Sequence, residues 1–328
     1  MEVQELGEFG LIERLAAIVG RCPPGELVIG IGDDAAVWRW GDSYVIATTD
    51  TLVEGVHFLP GLHPWHDLGW KALAVNVSDI AAMGGTPQFA LVTLALPPTM
   101  PVPALDELYK GMMECAHTYG LTVAGGDVVR SGETAVTVAL LGTARVGRDG
   151  TPLLLRRDAA HPGHAVAVTG TLGDAAAGLR LLREGTERGH PLVQAHLRPR
   201  PPLRAGQMAA HAAIPCGMDI SDGLLQDLGH ICRRSGVGIR VEAAALPLSD
   251  HLRRAFPREA LELACAGGED YQLVLVGPRE TLAGLAPALD VPLSFIGEAV
   301  EGEGVRLVDE AGRETTLRRP GWDHLRQP

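Results

Sequence analysis

The clearest hydrophobic pattern along the chain lies at residues 67–83. Apolar positions recur there at three- and four-residue spacing, which predicts a helix, and a glycine pair at 84–85 predicts its end. The stripe of this helix consists of Leu68, Ala72, Val75 and Asp79. Because an unpaired carboxylate is costly in apolar surroundings, either a buried hydrogen-bond donor or a cation must stabilise Asp79.

The rest of the first half mixes strands with helices. An amphipathic helix is predicted at 8–19, docked on the body of the protein, and another at 104–118. β-Branched and apolar runs predict the strands. One strand is predicted at the end of 30–40. The segment 44–58 is predicted to form a strand, a loop and a second strand. Further strands are predicted at 88–97, 121–127 and 134–144. Paired strands with two helices predict a mixed sheet covered on one side.

Glycine, proline and charged residues cluster at 145–163, between two apolar runs. This composition is typical of a domain boundary, although an ordinary hairpin would also account for it. Further strands are predicted at 164–170, 237–242, 271–276, 293–299 and 304–308, with helices near 174–184, 203–213 and 222–235. The sequence therefore predicts an α/β (α+β) protein with two domains, 1–148 and 149–328.

Composition narrows the classes of function. Of the 328 residues, 46% are hydrophobic and 21% are charged, which is typical of a folded protein. The formal net charge of −12 argues against a broad basic surface for nucleic acid. If the ligand is a phosphate, an acidic protein needs divalent cations between its carboxylates and the oxygens of that ligand.

The cysteines and the N-terminus favour a cytoplasmic location. The five cysteines are scattered without a C-x-x-C pair, which favours reduced, buried thiols over disulfides or a zinc site. Glutamates precede the first basic residue, Arg14, which is unlike a signal peptide. No apolar run approaches the roughly 20 residues that span a bilayer, so no membrane association is expected.

Common nucleotide-binding and hydrolase motifs are missing from the chain. The P-loop needs a Gly-Lys pair, but the two lysines, Lys71 and Lys110, follow tryptophan and tyrosine. The H-R-D and D-F-G motifs of protein kinases and the G-x-S-x-G elbow of hydrolases are also missing. The G-x-G at 30–32 continues with two aspartates, which disfavours a dinucleotide-binding fingerprint.

Aspartates in short glycine-bearing contexts are the chemistry that the sequence offers instead. Most of them lie where an apolar strand or helix ends, and carboxylate oxygens are the ligands that Mg²⁺ prefers. Each one alone is also typical of a turn or a helix cap, but the set favours a multi-metal phosphate site. Its members are Asp33, Asp34, Asp50, Asp79, Asp127, Asp219 and Asp222.

Backbone groups are a second candidate for phosphate binding. Glycine pairs at 84–85, 125–126 and 267–268 permit a close approach of phosphate, although helix ends and turns would equally explain them. Ser221 is predicted to be the N-cap of the helix at 222–235. The free N–H groups of such a helix start would suit an anionic phosphate.

The order of motifs along the whole chain resembles the thiamine-monophosphate kinase family. DISDGL alone would indicate only the wider superfamily of aminoimidazole-ribotide synthetase and selenophosphate synthetase. Three longer segments are much more specific to the kinase: TTDTLVEGVHF, KALAVNVSDIAAMG and GGEDY. Further matching segments are GEFGLIERL, GIGDDAAV, GGDVVRS, TGTLGDAAAGL, HLRPRP, IGEAVEG and GWDH.

The resemblance implies transfer of the γ-phosphoryl group of ATP onto the phosphate of thiamine monophosphate, with several Mg²⁺ ions and thiamine diphosphate as product. It also implies a homodimer whose N-terminal sheets join into a barrel, with ATP bound between the domains. Transfer is expected to be direct, without a protein nucleophile or general base, because the accepting phosphate oxygen is already deprotonated at neutral pH.

The resemblance also assigns roles to individual residues. Its metal ligands are expected at Asp34, Asp50, Asp79, Asp127, Asp219 and Asp222, with Thr48 and Thr49 nearby. Its contacts to ATP are expected at Tyr109, Gly126, Asp127, Arg157 and Ser221, and its contacts to thiamine monophosphate at His57, Glu269 and Trp322. Taken singly, most of these residues would be interpreted as ordinary surface or core residues.

Three positions depart from the family pattern: Val128-Val129 replace a frequent threonine, His164 replaces an aspartate, and Trp322 replaces a smaller aromatic residue. Two other functions stay open at this point. One is a sister enzyme of the superfamily that uses ATP to activate a different substrate. The other is a non-catalytic protein that binds nucleotide or thiamine phosphate, which the intact set of aspartates disfavours.

Overall fold

A computed structural model describes residues 3–20 and 26–315, apart from the side chains of residues 4 and 9. The first half contains α1 (Val3–Val19), β1 (Leu27–Ile29), β2 (Ala36–Trp40), β3 (Ser43–Val53), α2 (Trp65–Ala82), β4 (Thr86–Leu96), α3 (Val102–Tyr119), β5 (Thr122–Arg130), β6 (Ala135–Val146) and β7 (Pro152–Leu153). Among the described residues, none of the helices has the length and hydrophobicity that a membrane crossing requires.

The second half contains β8 (Ala165–Thr169), α4 (Asp174–Arg183), α5 (Pro191–Leu197), α6 (Leu203–His211), β9 (Cys216–Asp219), α7 (Leu224–Ser235), β10 (Gly238–Glu242), α8 (Asp250–Ala255), α9 (Ala260–Ala266), β11 (Leu273–Gly277), α10 (Arg279–Leu285), β12 (Leu293–Val300) and β13 (Gly304–Val308). Short 3₁₀ turns follow β10 and α10. The predicted α/β architecture is therefore confirmed.

The first sheet has the strand order β1-β2-β3-β6-β4-β5, with β7 paired to β6. Only β4 and β5 pair in parallel, so the sheet is mixed. Along β6 the buried residues Val136, Val138 and Leu140 alternate with partly exposed ones, and they pack in one core with α2 and α3. The helices thus cover one face, as predicted, while Phe89 and Leu91 on β4 are about half exposed.

The second sheet has the order β13-β10-β12-β8-β11-β9 and is covered on both faces. Alternate residues of β8 show this: Val166 and Val168 join a core that includes residues of α7 and α9. Ala165 and Ala167 join another core, with residues of α6 and α10. Both faces of β8 are buried, so its sequence is continuously apolar rather than alternating.

Two predictions about local structure are wrong, and a third, the domain boundary at 145–163, stays a prediction. The segment 44–58 forms one strand, β3, followed by turns, because the chain folds back at Glu54–Phe58 instead of pairing as a second strand. The predicted boundary begins as a β6–β7 hairpin, with Arg145 opposite Leu153, so the hairpin alternative was correct for its first part. In α1, Ile12, Leu15 and Val19 are exposed, so these side chains do not dock on the chain's own body.

Candidate active site

Three aspartates from distant parts of the sequence meet where α2 approaches β9 of the second sheet. Asp79 lies in the last turn of α2, Asp219 is the last residue of β9, and Asp34 lies in the turn that leads into β2. One carboxylate oxygen from each lies within 4.8 Å of those of the other two. The partner that the apolar helix stripe required for Asp79 is therefore a cluster of further carboxylates, named here the carboxylate cluster.

Hydroxyl groups orient the carboxylate cluster. Ser78 Oγ donates a 2.7 Å hydrogen bond to Asp219 Oδ2, and Thr48 Oγ1 donates to Asp79 Oδ2 at 2.5 Å. Asn76, one turn before Asp79, accepts a 3.1 Å hydrogen bond from the backbone N–H of Asp50. Ser78 and Asn76 are both fully buried. Sequence reasoning assigned no role to either residue, although polar residues at buried positions of an apolar helix were the available signal.

The carboxylate cluster is electrostatically unfavourable without a cation. Burial raises the pKa of Asp79 well above its usual range, and the charges of Asp50, Asp219 and Asp34 raise it further. Burial, followed by the charge of Asp34, does the same for Asp219. Asp79 is only half-buried by accessible area, but it lies at the bottom of a cleft, where surrounding protein displaces water. Such oxygen-only, closely spaced ligands fit Mg²⁺, which would cancel the repulsion.

The metal-free protein should lose stability as the pH rises from about 6.5 through about 7, the pKa of Asp33 in the folded state. The pKa of Asp33, raised by burial to about 7, and the raised pKa values of Asp79 and Asp219 mean that the folded state binds more protons than the unfolded chain in this window. Below it, His63 and His230 have the opposite effect, because burial lowers their pKa values to about 4 and about 3.

Thermal unfolding of chelator-treated protein across this pH range measures the effect. Saturating Mg²⁺ should raise Tm more at high pH than at low pH, because the ionised carboxylates bind the cation. A Tm that is independent of both pH and Mg²⁺ would contradict the assignment of the carboxylate cluster to metal binding.

Arg157 forms the wall of the cluster beside Asp34. Its Nη2 contacts Asp34 Oδ1 at 2.5 Å and its Nε contacts Asp34 Oδ2 at 3.2 Å, a two-point contact to a carboxylate that is fully buried. The backbone N–H of Arg157 donates to Asp33 Oδ2 at 3.2 Å. Burial opposes the charge of this guanidinium, but Asp34 and Asp33 outweigh burial and raise its pKa.

The start of α7 differs from the prediction. Ser221 is not the N-cap: the cap position is Gly223, and the helix begins at Leu224. Asp227, inside the first turn, accepts hydrogen bonds through Oδ2 from the N–H groups of Ser221, Asp222 and Gly223 at 3.1–3.3 Å. These three N–H groups are therefore engaged within the chain rather than directed at a phosphate.

A second group of possible ligands follows from this turn. Oxygens of Asp222 and Asp227 and a ring nitrogen of His230 lie within 4.8 Å of one another. Burial raises the pKa of Asp227 well above its usual range, and the charge of Asp222 raises it further. Asp222 belongs to this second group and also lines the cleft beside Asp79 and Asp219.

A cleft of about 520 Å³ opens beside the carboxylate cluster. Its lining includes Asp50, Asp79, Asp219 and Asp222 together with His57 and Glu269. His57 Nδ1 accepts a 3.0 Å hydrogen bond from the N–H of Val53, which fixes the ring at the end of β3. One cleft therefore contains both a group of carboxylates and the two described residues expected to contact the acceptor.

The comparisons with known proteins agree on one family. Residues 32–146 match the model of the AIR synthase related protein N-terminal domain, and residues 161–310 match that of its C-terminal domain. Thiamine-monophosphate kinase of Aquifex aeolicus is 39% identical over 337 residues, which cover 99% of this chain and 100% of the relative. The enzyme of Salmonella typhimurium is 40% identical over 98% of this chain and 99% of its own length. The chain belongs to the thiamine-monophosphate kinase family.

A solved structure of the same family confirms the fold. AaThiL complexed with AMPPCP and TMP superposes with a TM-score of 0.87 at 36% sequence identity, covering 99% of both chains. The family that the motifs TTDTLVEGVHF, KALAVNVSDIAAMG and GGEDY indicated is therefore confirmed.

Several residues expected from the family lie away from the carboxylate cluster. Thr49 alternates with Thr48 and Asp50 along β3, and its hydroxyl donates to Val138 O at 3.1 Å. Tyr109 packs, partly buried, against the core of the first sheet. Gly126 and Asp127 lie on the exposed edge strand β5. Trp322 lies outside the described residues.

The register of the first sheet measures how far Gly126 lies from Asp50. Asp50 pairs with Val138, Val138 with Val92, and Val92 with Gly126. Three steps between strands separate the two residues by about 14 Å, which no side chain of an aspartate at 127 can bridge. Gly126 itself is required by the backbone, because a Cβ there would lie 1.7 Å from Val92 O.

Sequence reasoning missed three further residues, two that line the cleft and one buried behind its lining. Lys71 and His196 contact Glu269, and both are almost completely buried. Tyr271, at the end of the GGEDY motif, lines the cleft with a positive φ of 49°. Burial raises the pKa of this phenol well above its usual range. The one signal for Lys71 in the sequence was a lysine between Trp70 and the apolar run 72–75 of the predicted helix.

Proposed function

We propose that this chain phosphorylates thiamine monophosphate with ATP, giving thiamine diphosphate and ADP. The carboxylate cluster of Asp34, Asp79 and Asp219 beside a cleft carries this proposal, because both reactants present phosphate groups that need cations. Family membership supports it: the solved relative holds AMPPCP, an ATP analogue, together with TMP. The chain is then an ATP-dependent kinase whose acceptor is itself a phosphate.

The reaction requires two anionic phosphates to approach each other in line. Mg²⁺, when bound, supplies the positive charge that offsets their repulsion and the charge of the transferred group. Asp34, Asp79 and Asp219 would hold such ions, with Asp50 and Asp222 at the edge of the same cleft. Ser78 and Thr48 keep two of these carboxylates in fixed orientations.

No protein nucleophile is needed in this mechanism. The accepting oxygen of a phosphate monoester is already deprotonated at neutral pH, so a general base would add little. The described cysteines are consistent with this: Cys115, Cys216, Cys232 and Cys265 are buried thiols. Burial raises their pKa values, which makes them poor nucleophiles. The same reduced state supports the proposed cytoplasmic location.

We also propose that a second copy of the chain completes the site. Gly126 and Asp127 are expected to contact ATP and metal but lie three strands from Asp50, so a homodimer would supply them from the neighbouring subunit. The uncovered sheet face supports this, since Phe89, Leu91 and Val129 on it are 44–51% exposed. The division into domains 1–148 and 149–328 accompanies this proposal, with dimer contacts in the first. Sedimentation as a monomer at assay concentration would contradict it.

The activity is tested with purified protein, ATP, Mg²⁺ and thiamine monophosphate. Thiamine diphosphate and ADP should form in equal amounts, which chromatography of both products measures. Omitting Mg²⁺ should abolish turnover, because two unshielded phosphates repel each other. Binding of both ligands without product would contradict the kinase proposal and favour the binding-protein alternative.

A further inference from the structure

Lys71 is a buried charge that contacts Glu269, a residue of the cleft lining. It lies on α2, only 1% exposed, and its Nζ is 2.6 Å from Glu269 Oε1. A buried ammonium group is costly unless a counter-charge lies close by, and Glu269 supplies that charge from the loop before β11. The pair therefore joins the N-terminal helix layer to the second half of the chain.

One histidine contacts the same carboxylate, and a second histidine contacts the first. His196 Nδ1 lies 3.0 Å from Glu269 Oε2, and His196 Nε2 lies 3.0 Å from His63 Nε2. His196 and His63 are 1% and 5% exposed. Lys71 and His196 approach the carboxylate obliquely, so these two contacts are electrostatic rather than well-aligned hydrogen bonds.

The positions of the protons on His63 and His196 follow from one backbone group. The N–H of Leu59 can only donate, and it donates to His63 Nδ1 at 3.1 Å. The proton of a neutral His63 is therefore on Nε2 and is donated to His196 Nε2. The proton of His196 is then on Nδ1 and faces Glu269. Each neutral ring therefore has one tautomer. The series of contacts runs from Leu59 N–H through His63 and His196 to the carboxylate of Glu269.

The backbone holds Glu269 equally firmly. Its φ is 67°, in the left-handed region that disfavours a residue with a side chain. The conformation is maintained by hydrogen bonds on both sides: the N–H of Glu269 donates to Ser221 O at 2.7 Å, and that of Tyr271 donates to Ile220 O at 2.8 Å. Local strain that is maintained in this way is typical of functional positions.

The state of Glu269 agrees with this arrangement. Burial alone would raise its pKa, but the charge of Lys71 and the contact with His196 outweigh burial and lower the pKa well below its usual range. The side chain remains 27% exposed, and the residue lines the cleft. A carboxylate has about four acceptor positions, so the contacts to Lys71 and His196 leave others available to a ligand.

We propose that Lys71, His196 and His63 are positioning residues that hold Glu269 ionised and in one orientation, so that it binds the cationic, N–H-bearing ring portion of the acceptor. This inference rests on the proposed function. A fixed anion repels phosphate, so Glu269 selects the ring end of thiamine monophosphate, while its phosphate points towards the carboxylate cluster. Thiamine carries a quaternary ring nitrogen and an amino group, which match such an acceptor.

The substitution Lys71→Met tests the inference, because it removes the charge with little change in volume. The KM for thiamine monophosphate should rise about 10- to 100-fold, while kcat and the KM for ATP change by less than about twofold. The inhibition constant of unphosphorylated thiamine should rise by the same factor, whereas that of pyrophosphate should not change. Lys110→Met, which removes the chain's other lysine from an exposed pair with Glu107, is the matched control.

A double-mutant cycle separates positioning from a purely structural ion pair. If Lys71 acts through Glu269, the KM for thiamine monophosphate should be no higher in the double variant Lys71→Met/Glu269→Gln than in Glu269→Gln alone. The double variant leaves no unpaired charge, so it keeps the test valid should Lys71→Met fail to fold. A double variant with the wild-type KM for the acceptor would overturn the inference, as would a folded Lys71→Met protein with unchanged acceptor KM.

The wild-type chain distinguishes this failure from failure of the proposed function. If the wild-type chain phosphorylates thiamine monophosphate and the variants have the same KM for it, only the positioning role is overturned. A wild-type chain that neither binds nor phosphorylates thiamine monophosphate, measured by calorimetry and product analysis, would overturn both.

Discussion

Replacing Asp79 with asparagine should lower kcat about 1,000-fold, equivalent to about 4 kcal/mol of transition-state stabilisation. Asparagine keeps the size of the side chain and still accepts the hydrogen bond from Thr48, but it removes the negative charge that a metal ion needs. The same change should raise the Tm of the metal-free protein, because it removes repulsion with Asp50, Asp219 and Asp34. Steady-state kinetics and thermal unfolding in chelator measure the two effects.

The opposite directions of these two effects make the result specific. A merely structural role for Asp79 would lower activity and stability together. Asp42→Asn is the matched control, since Asp42 is exposed in the turn between β2 and β3 and should leave both quantities unchanged. Full activity in Asp79→Asn would exclude this residue as a metal ligand.

Replacing Gly69 with alanine should destabilise the protein by about 3 kcal/mol. A Cβ at Gly69 on α2 would lie 1.8 Å from Leu108 O, and one at Gly111 on α3 would lie 1.7 Å from His66 O. The two helices therefore touch backbone to backbone, and an added methyl group on either must push them apart. Because α2 carries Asp79 and Lys71, the shift would also displace these two side chains from their partners.

Chemical denaturation measures this loss of unfolding free energy. Gly284→Ala is the control: Gly284 lies on α10, where an added Cβ meets no atom within 4 Å. Alanine favours the helix there and should stabilise the protein by about 0.5–1 kcal/mol. Equal effects of the two substitutions would show that helix propensity, and not contact between α2 and α3, decides the outcome.

The local elements were predicted where a periodic pattern extends over several residues. The pattern at 67–83 predicts α2, observed at Trp65–Ala82, and the apolar run at 88–97 predicts β4, observed at Thr86–Leu96. Burial on one side of an element produces such periodicity directly, so it is readable without knowledge of the neighbours.

The errors lie where a neighbour overrides the local signal. Ser221 has the side chain of an N-cap, but Asp227 takes the N–H groups at the start of α7, and the cap position moves to Gly223. The strands β1 and β9 and the helix α5 were not predicted, because they are three, four and seven residues long. Segments this short have too few residues to show a period.

The sequence by itself determined the family, the two-sheet architecture and the position of Asp79 on an apolar helix face. The family resemblance already grouped Asp34, Asp79 and Asp219 as metal ligands, and the structure brings these three together. Only the tertiary structure decided that Lys71 meets Glu269 and that Asp127 lies apart from the other aspartates. Periodicity reports on neighbours within a turn or two of a helix or strand. Contacts between residues some 200 positions apart depend instead on how whole layers pack, which no local pattern contains.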